Sequence, residues 1–425
     1  MSIVQVKKIR AAWTETLMRR IFAQGMPETG TVRNWKTVHF EVCGGAMDCR
    51  YHADMATSLG KPKILPLTSA RFFAALYVML YHTFPRAPAS NAIRGWMFKV
   101  VSFGYISVSF FFMLSGFILA IVYLRENRAL DKRRFFIARF ARIYPLYIAA
   151  MLLDTPHFLY TQLHLLHGNP WKMAGVFMAT TGLVQAWLNM CSLNPPGWSL
   201  STEVFFYVLF PFLGVALWKM RGRLALVLSV LIYSAGLSLV LVLERSWSVD
   251  KLSFHPFPHL FVFVLGILLA KLFVWIEESQ DRSQRLMAAA PGLLCVCAIG
   301  ILALPVFTSG LDQFLVHGSL APLFAVAILA FASGNWLISR IFSARWLVVL
   351  GEASYGLYLL HYPIYSILRR PIERFGMPMM VVYLVGTISL SVVSYYWLEV
   401  PARHWILAKE KVRSMETLVT SSLSQ

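Results

Sequence analysis

The feature that most constrains this chain is a series of apolar runs, each about as long as a membrane is thick. They fall near 67–84, 101–123, 143–160, 173–190, 200–218, 224–243, 257–275, 288–307, 318–337, 346–368 and 378–398. Runs of roughly 18 or more apolar residues, repeated along one chain, read as membrane-spanning helices. In lipid the backbone must satisfy its own hydrogen bonds, so the helix is the natural state of such a run. Composition agrees: 58% of the 425 residues are hydrophobic and 14% are charged, with a mean hydropathy of +0.61. A soluble domain carries about 25% charged residues. A disordered chain, a disulfide scaffold and an ordinary soluble enzyme are excluded.

The formal net charge is +19. In a soluble protein that excess would suggest nucleic acid. Here the basic residues lie in loops between apolar runs, as the positive-inside rule requires, so no nucleic-acid partner is expected. The five cysteines form no framework. Cys43, Cys49 and Cys191 are scattered, Cys295 and Cys297 sit inside an apolar run, and no Cys/His spacing matches a zinc site. No metal is expected.

The basic loops orient the spans. The segment 124–142 carries Arg125, Arg128, Lys132, Arg133, Arg134, Arg139 and Arg142, and reads as cytoplasmic. Lys219, Arg221 and Arg223 mark a second cytoplasmic loop; Lys271, Arg282 and Arg285 a third; Arg340 and Arg345 a fourth. An even number of spans must separate the first two loops, yet three runs lie between them. The weakest, 173–190, contains Gly182, Gln185 and Asn189 and reads as a re-entrant or interfacial helix. The expected fold is therefore all-α: a polytopic helical membrane protein of about ten transmembrane helices plus that one segment, with both termini cytoplasmic. Arg369, Arg370 and Arg374 resist this scheme. Residues 1–63 form an N-terminal cytoplasmic extension of mixed charge without a signal-peptide pattern; alternatively they reflect start-site choice, Met55 offering a natural start. Residues 64–405 are the membrane domain and 406–425 a cytoplasmic tail.

A charge in mid-membrane costs about 2.5–3.5 kcal/mol on the lenient scale, so each asks for a reason. Arg71 and His82 bracket the first run. A snorkelling arginine and an interfacial histidine are the plain alternatives to a site. Arg139 and Arg142, three residues apart, share one helix face, and guanidinium forks match phosphate oxygens. In "NPPGWSLSTEVFF", Ser199 or Ser201 can cap the next helix, and Glu203 either complements the helix dipole or holds the imidazole of His82 for base catalysis. Trp198 suits a sugar face as well as a membrane interface. In "LGEASYGLYLLHYP", Tyr358 and His361 share a face with Ser354. Asp154, followed by Pro156, is a weaker candidate.

Taken together, these stretches resemble the acyltransferase-3 family of integral-membrane acyltransferases, which acylate bacterial surface sugars and similar hydroxyls. The resemblance covers about residues 64–405 through "LTSARFFAALYVMLYH", "VSFFFMLSGFILA", "RRFFIARFARIYPLY", "NPPGWSLSTEVFFYVLFP", "LGEASYGLYLLHYPI" and "WLEVPARHW". The family's R-x10-H motif falls on Arg71 and His82, its R-x-x-R motif on Arg139 and Arg142, its Ser-Gly pair on Ser115 and Gly116, and its "WSLSxE" block on Trp198 to Glu203. Val204 stands where many members carry a second acidic residue. With no hydrolase-like stretch after the membrane part, the chain is similar to the stand-alone members.

The resemblance implies a membrane O-acyltransferase. It would take an acyl group, most often acetyl, from acyl-CoA at the cytoplasmic side to a hydroxyl of a carbohydrate or glycolipid acceptor. His82 and Glu203 would be catalytic, Arg71, Arg139 and Arg142 would bind the donor, and Trp198 and His361 the acceptor. His82 could act as a base or accept the acyl group itself. The implied location is a bacterial inner membrane, with the lipid bilayer as the remaining partner. The alternative reading is a secondary transporter or flippase, which would also place His, Arg and Glu within spans.

Overall fold

The computed structural model describes residues 64–84, 92–126, 129–165, 168–188, 193–307 and 315–423. The expectations placed on residues 1–63, Cys43, Cys49 and Cys191 lie outside the described residues. Those described form helices and no strand. In chain order these are α1 (Leu65–Thr83), α2 (Ala92–Ser102), α3 (Ser107–Leu124), α4 (Lys132–Tyr160), α5 (Pro170–Thr181), α6 (Trp198–Trp218), α7 (Gly222–Glu244) and α8 (Val249–Phe254). They continue with α9 (Leu260–Glu277), α10 (Gln280–Phe307), α11 (Ala321–Ala332), α12 (Trp336–Phe342), α13 (Arg345–Glu352), α14 (Ser354–Phe375), α15 (Met377–Ser394) and α16 (Val400–Leu423). A π-helical turn, Tyr395–Glu399, joins the last two.

Seven helical stretches are long and apolar enough to cross a membrane, and the bent pair α11–α12 makes up to eight. The fold is thus an all-α membrane bundle, with fewer qualifying spans than the ten read from the sequence. Neither α1 nor α14 is among the seven. They carry Arg71 and His82, and His361, Arg369, Arg370 and Arg374, respectively, so the polar residues that suggest a site also lower the apolar signal.

Burial separates centre from periphery. The window containing α3 is 72% buried and that containing α9 is 67% buried, against 11% for those of α7 and α10. The outer helices turn Val230, Leu231, Val296 and Ile299 outward, as a lipid solvent allows. At the centre, α3 and α9 meet through two glycines. A Cβ on Gly116 would lie 2.2 Å from Phe263 O, and one on Gly266 would lie 2.0 Å from Met113 O. Small residues let backbones approach closely where lipid gives no hydrophobic drive to association.

Three expected runs are reshaped by local chemistry. The run 318–337 bends by 91° between α11 and α12. Gly334 there takes a φ of 75°, and Asn335 accepts from the amides of Leu337 and Ile338 at 2.9 and 3.2 Å. The run 346–368 is two helices, α13 and α14, broken at Ala353. Gly351 lets α13 sit on the start of α1, where an added Cβ would be 2.0 Å from Thr68 O. The run 173–190 yields α5, a helix of 12 residues. At about 1.5 Å per residue it is well short of a bilayer. Beyond it the chain turns through Leu183, at a φ of 55°, to a fully buried Gln185. The Gln185 amide donates to Gly197 O at 2.9 Å and to Tyr147 Oη at 3.3 Å.

Candidate active site

A cavity of about 180 Å³ opens between α1, α3, α4, α6 and α14. Arg71, Arg139 and Arg142 all line it, with Ser115, Glu203, Tyr207, Tyr355 and Tyr358, against an apolar wall that includes Phe111, Phe112 and Ile118. The i, i+3 spacing of Arg139 and Arg142 carries both into the cavity, and the aromatic rings of α3, α6 and α14 support them. The Arg139 guanidinium lies 5.6 Å from the Tyr123 ring and 5.9 Å from that of Tyr207; Arg142 lies 6.0 Å from the Tyr355 ring. Arg139 donates to Tyr123 Oη at 3.3 Å, while its buried Nε has no acceptor. Arg133, by contrast, is exposed and pairs with Glu410 at 3.2 Å, away from the cavity.

None of the three cavity arginines has a carboxylate within ion-pair distance among the described residues. Glu203 is occupied otherwise. Its Oε1 accepts from Tyr207 Oη at 2.5 Å and from Ser115 Oγ at 3.0 Å. Three half-buried guanidiniums facing one void without such a partner have the chemistry to hold anionic groups. Behind them lies Glu399, in the π-helical turn, only 5% exposed and with both carboxylate oxygens unpartnered. Arg142 and Arg71 are the charges that act on it most strongly. Within the block "WLEVPARHW" the sequence alone gives Glu399 no role. A carboxylate in the middle of an apolar stretch was the available signal.

His82 does not line the cavity. Its Nδ1 is 3.0 Å from Val78 O and 3.2 Å from His361 Nε2. His361 is fully buried, and its Nδ1 is 3.3 Å from Leu357 O. These contacts assign the tautomers of a neutral pair. A carbonyl only accepts, so His361 Nδ1 carries hydrogen and its Nε2 accepts. His82 Nδ1 must then donate, shared between His361 and Val78 O. The lone pair of His82 is left on Nε2, which has no hydrogen-bond partner among the described residues. The Tyr358 ring lines the cavity on one side and lies 6.1 Å from the His361 ring on the other. The cavity and the histidine pair are therefore neighbours across one aromatic side chain.

The pairing of Glu203 with His82 is corrected by this geometry. Glu203 sits among Ser115, Tyr207 and the arginines, and His82 is oriented by His361. The helix-capping expectation is corrected as well. Helix α6 starts without a side-chain cap, and Ser199 Oγ instead donates to Pro196 O at 3.0 Å and meets Tyr358 Oη at 2.7 Å. Trp198 stands outside the cavity in an aromatic cluster, 5.3 Å from Phe254, 5.4 Å from His259 and 6.2 Å from Phe112 between ring centroids. Asp154 accepts from Ser366 Oγ at 3.3 Å, away from the arginines.

Comparison with known proteins bears on this geometry. A family model described as Acyltransferase domain, Acyl_transf_3, matches residues 67–396. YrhL of Bacillus subtilis, named as a peptidoglycan O-acetyltransferase, is 27% identical over 360 residues, which is 79% of this chain and 54% of YrhL. The O-acetyltransferase OatA of Staphylococcus aureus is 25% identical over 367 residues, 80% of this chain and 58% of OatA. The acyltransferase MdmB of Streptomyces mycarofaciens is 30% identical over 320 residues, 70% of this chain and 77% of MdmB. The chain thus spans little more than half the length of the first two. No solved structure matches it. The family match extends from α1 to the π-helical turn and takes in every side chain of the cavity and both histidines, so the chain belongs to the Acyl_transf_3 family of acyltransferases.

Proposed function

We propose that this chain is a membrane O-acyltransferase, moving an acetyl or longer acyl group from acyl-CoA to a hydroxyl of a carbohydrate or glycolipid. The observation that carries this reading is the cavity lined by three arginines, none with a carboxylate at ion-pair distance among the described residues, one aromatic ring away from a histidine pair whose hydrogen bonds use Nδ1 of His82. Phosphates of the donor would engage Arg139, Arg142 and Arg71 through charge-assisted hydrogen bonds. The names of YrhL and OatA support acetyl as the group, and that of YrhL supports a glycan as the acceptor class.

In the reaction, His82 Nε2 takes the proton of the acceptor hydroxyl as its oxygen attacks the thioester carbonyl. The C–O bond forms, the C–S bond breaks, and the departing thiolate regains the proton from His82. As the imidazolium forms, His82 Nδ1–H strengthens its bonds to His361 Nε2 and Val78 O. In the alternative route the Nε2 lone pair attacks the thioester first, the C–S bond breaks to release CoA thiolate, and the acyl-histidine then passes its acyl group to the acceptor hydroxyl, whose proton goes to the thiolate as the N–C bond breaks. Glu203 keeps the floor of the cavity ordered through Ser115 and Tyr207. Trp198 lies one ring from the cavity wall, where an acceptor sugar could stack.

The same reading carries the topology. The 19 residues of α1, at about 1.5 Å each, approach the roughly 30 Å hydrocarbon thickness. Counting α1 and α14 as spans gives ten, with α5 and the buried turn after it as the re-entrant segment. The arginine mouth then faces the cytoplasm of a bacterial inner membrane with both termini inside, residues 64–405 being the catalytic domain.

The test is thioester turnover by purified protein with acetyl-CoA and a surface-glycan extract. Release of CoA thiol that requires both His82 and the extract supports the reading. Radiolabel retained on His82 without acceptor assigns the acyl-histidine route. No release and no acetyl-CoA binding refutes the reading in favour of a transporter.

A further inference from the structure

A proline inside a helix has no N–H, so the carbonyl four residues before it loses its helical donor. Among the described residues, prolines lie within helices at 145, 156, 211, 291, 305, 363 and 371. At two of them a buried asparagine supplies the missing donor. Asn335 Nδ2 donates to Met287 O, four residues before Pro291, at 2.9 Å. Asn194 Nδ2 donates to Leu359 O, four residues before Pro363, at 2.8 Å. Asn194 is 1% exposed and Asn335 is 8% exposed, so neither freed carbonyl is left to lipid.

The second instance sits on the turn of α14 that bears His361. The segment following Asn194 grips that turn again, since Tyr358 Oη donates to Pro196 O at 3.1 Å and meets Ser199 Oγ at 2.7 Å. The polar partners of the buried His361 ring are Leu357 O and His82 Nδ1, and Tyr383 Oη donates to the His361 carbonyl at 3.0 Å. Leu357 O belongs to this same turn, so the ring orientation follows the backbone of the turn that Pro363 interrupts. We propose that Asn194 is a positioning residue for the histidine pair. Its amide takes the carbonyl that Pro363 frees, holds this turn of α14, and through His361 sets the ring of His82. The proposal rests on the reading of His82 as the reacting group. The distant Asn335–Pro291 pair supplies an internal control for a purely structural role.

The experiment compares Asn194→Ala, Pro363→Ala, their double variant and Asn335→Ala in detergent-purified full-length protein. Three readouts are taken: thermal unfolding, carbethoxylation of His82 by diethyl pyrocarbonate followed by peptide mass spectrometry, and acetyl-CoA turnover. Asn194→Ala and Asn335→Ala should each lower Tm. The loss from Asn194→Ala should shrink in the Pro363→Ala background, where the restored N–H can take up Leu359 O. His82 labelling should change severalfold in Asn194→Ala and not in Asn335→Ala. The kcat should fall about tenfold in Asn194→Ala with the donor KM retained, a barrier change of about 1.4 kcal/mol, while Asn335→Ala keeps its kcat. Additive effects of Asn194→Ala and Pro363→Ala on Tm, unchanged His82 labelling in Asn194→Ala, or a raised donor KM in place of a lowered kcat would each overturn the proposal. If the wild type shows no turnover, the proposed function fails, and the unfolding and labelling arms still decide the role of Asn194.

Discussion

Replacing His361 by phenylalanine isolates what the histidine pair contributes. Phenylalanine keeps most of the volume of a fully buried ring and removes the acceptor that faces His82 Nδ1–H at 3.2 Å. Val78 O, at 3.0 Å, stays as the second acceptor, so His82 retains its tautomer. The bond from His361 Nδ1–H to Leu357 O is lost too, at a cost to stability, so the loss in rate is confined to the bond with His82 and to how that bond changes during reaction. A neutral hydrogen bond contributes about 1 kcal/mol net, and one to a charged group about 1.5–3 kcal/mol. Only the difference, about 1–1.5 kcal/mol, bears on the step that makes His82 cationic, which is roughly tenfold in kcat. His82→Ala removes the base itself, worth about 10²–10⁴. Steady-state kinetics on acetyl-CoA should thus show His361→Phe reduced roughly tenfold in kcat, with the donor KM within about a factor of two because the arginine cavity is untouched. An unchanged kcat would refute the support assigned to His361. A loss as deep as that of His82→Ala would mean that His361 takes part in the chemistry directly.

Other outcomes follow from the same geometry. Arg139→Ala and Arg142→Ala should each weaken acetyl-CoA binding about tenfold or more, since each removes charge-assisted hydrogen bonds worth about 1.5–3 kcal/mol; calorimetric titration reads this directly, and unaltered affinity would move the donor elsewhere. Tyr207→Phe deletes the 2.5 Å donor to the half-buried Glu203 and should cost about 1 kcal/mol of stability, the net worth of one hydrogen bond, visible as a lowered Tm. Gly266→Val drives a side chain into Met113 O, 2.0 Å from the added Cβ, and should abolish monodisperse folded protein in size-exclusion chromatography. Gly386→Ala, with nothing within 4 Å of its added Cβ, should behave as wild type.

Some of the site was legible because helix geometry is local. Arg139 and Arg142 share a face by spacing alone, and both reach the cavity. Arg71, readable as a snorkelling residue, joins them because α1 packs between α3, α13 and α14. Other features were hidden because they depend on contacts between distant segments. Glu203 and His82 looked like partners by type and by their expected depth, yet Ser115 and Tyr207 satisfy one and His361 the other. Glu399 carried only its charge as a signal. The breaks at Gly334 and Ala353 were masked by unbroken apolar composition, since hydropathy averages over a bend that backbone conformation and caps decide.

The sequence by itself determined that this is a helical membrane protein with Arg139 and Arg142 on one helix face. Lipid imposes a local rule on every backbone group, and that rule can be read residue by residue. Only the tertiary structure decided which polar side chains meet. His82 finds His361 across 279 positions of sequence, and Leu359 finds Asn194 across 165. Such pairings are set by how closely helices approach at Gly116, Gly266 and Gly351 and by where they bend. Both are properties of packed pairs of helices, and no single segment encodes them.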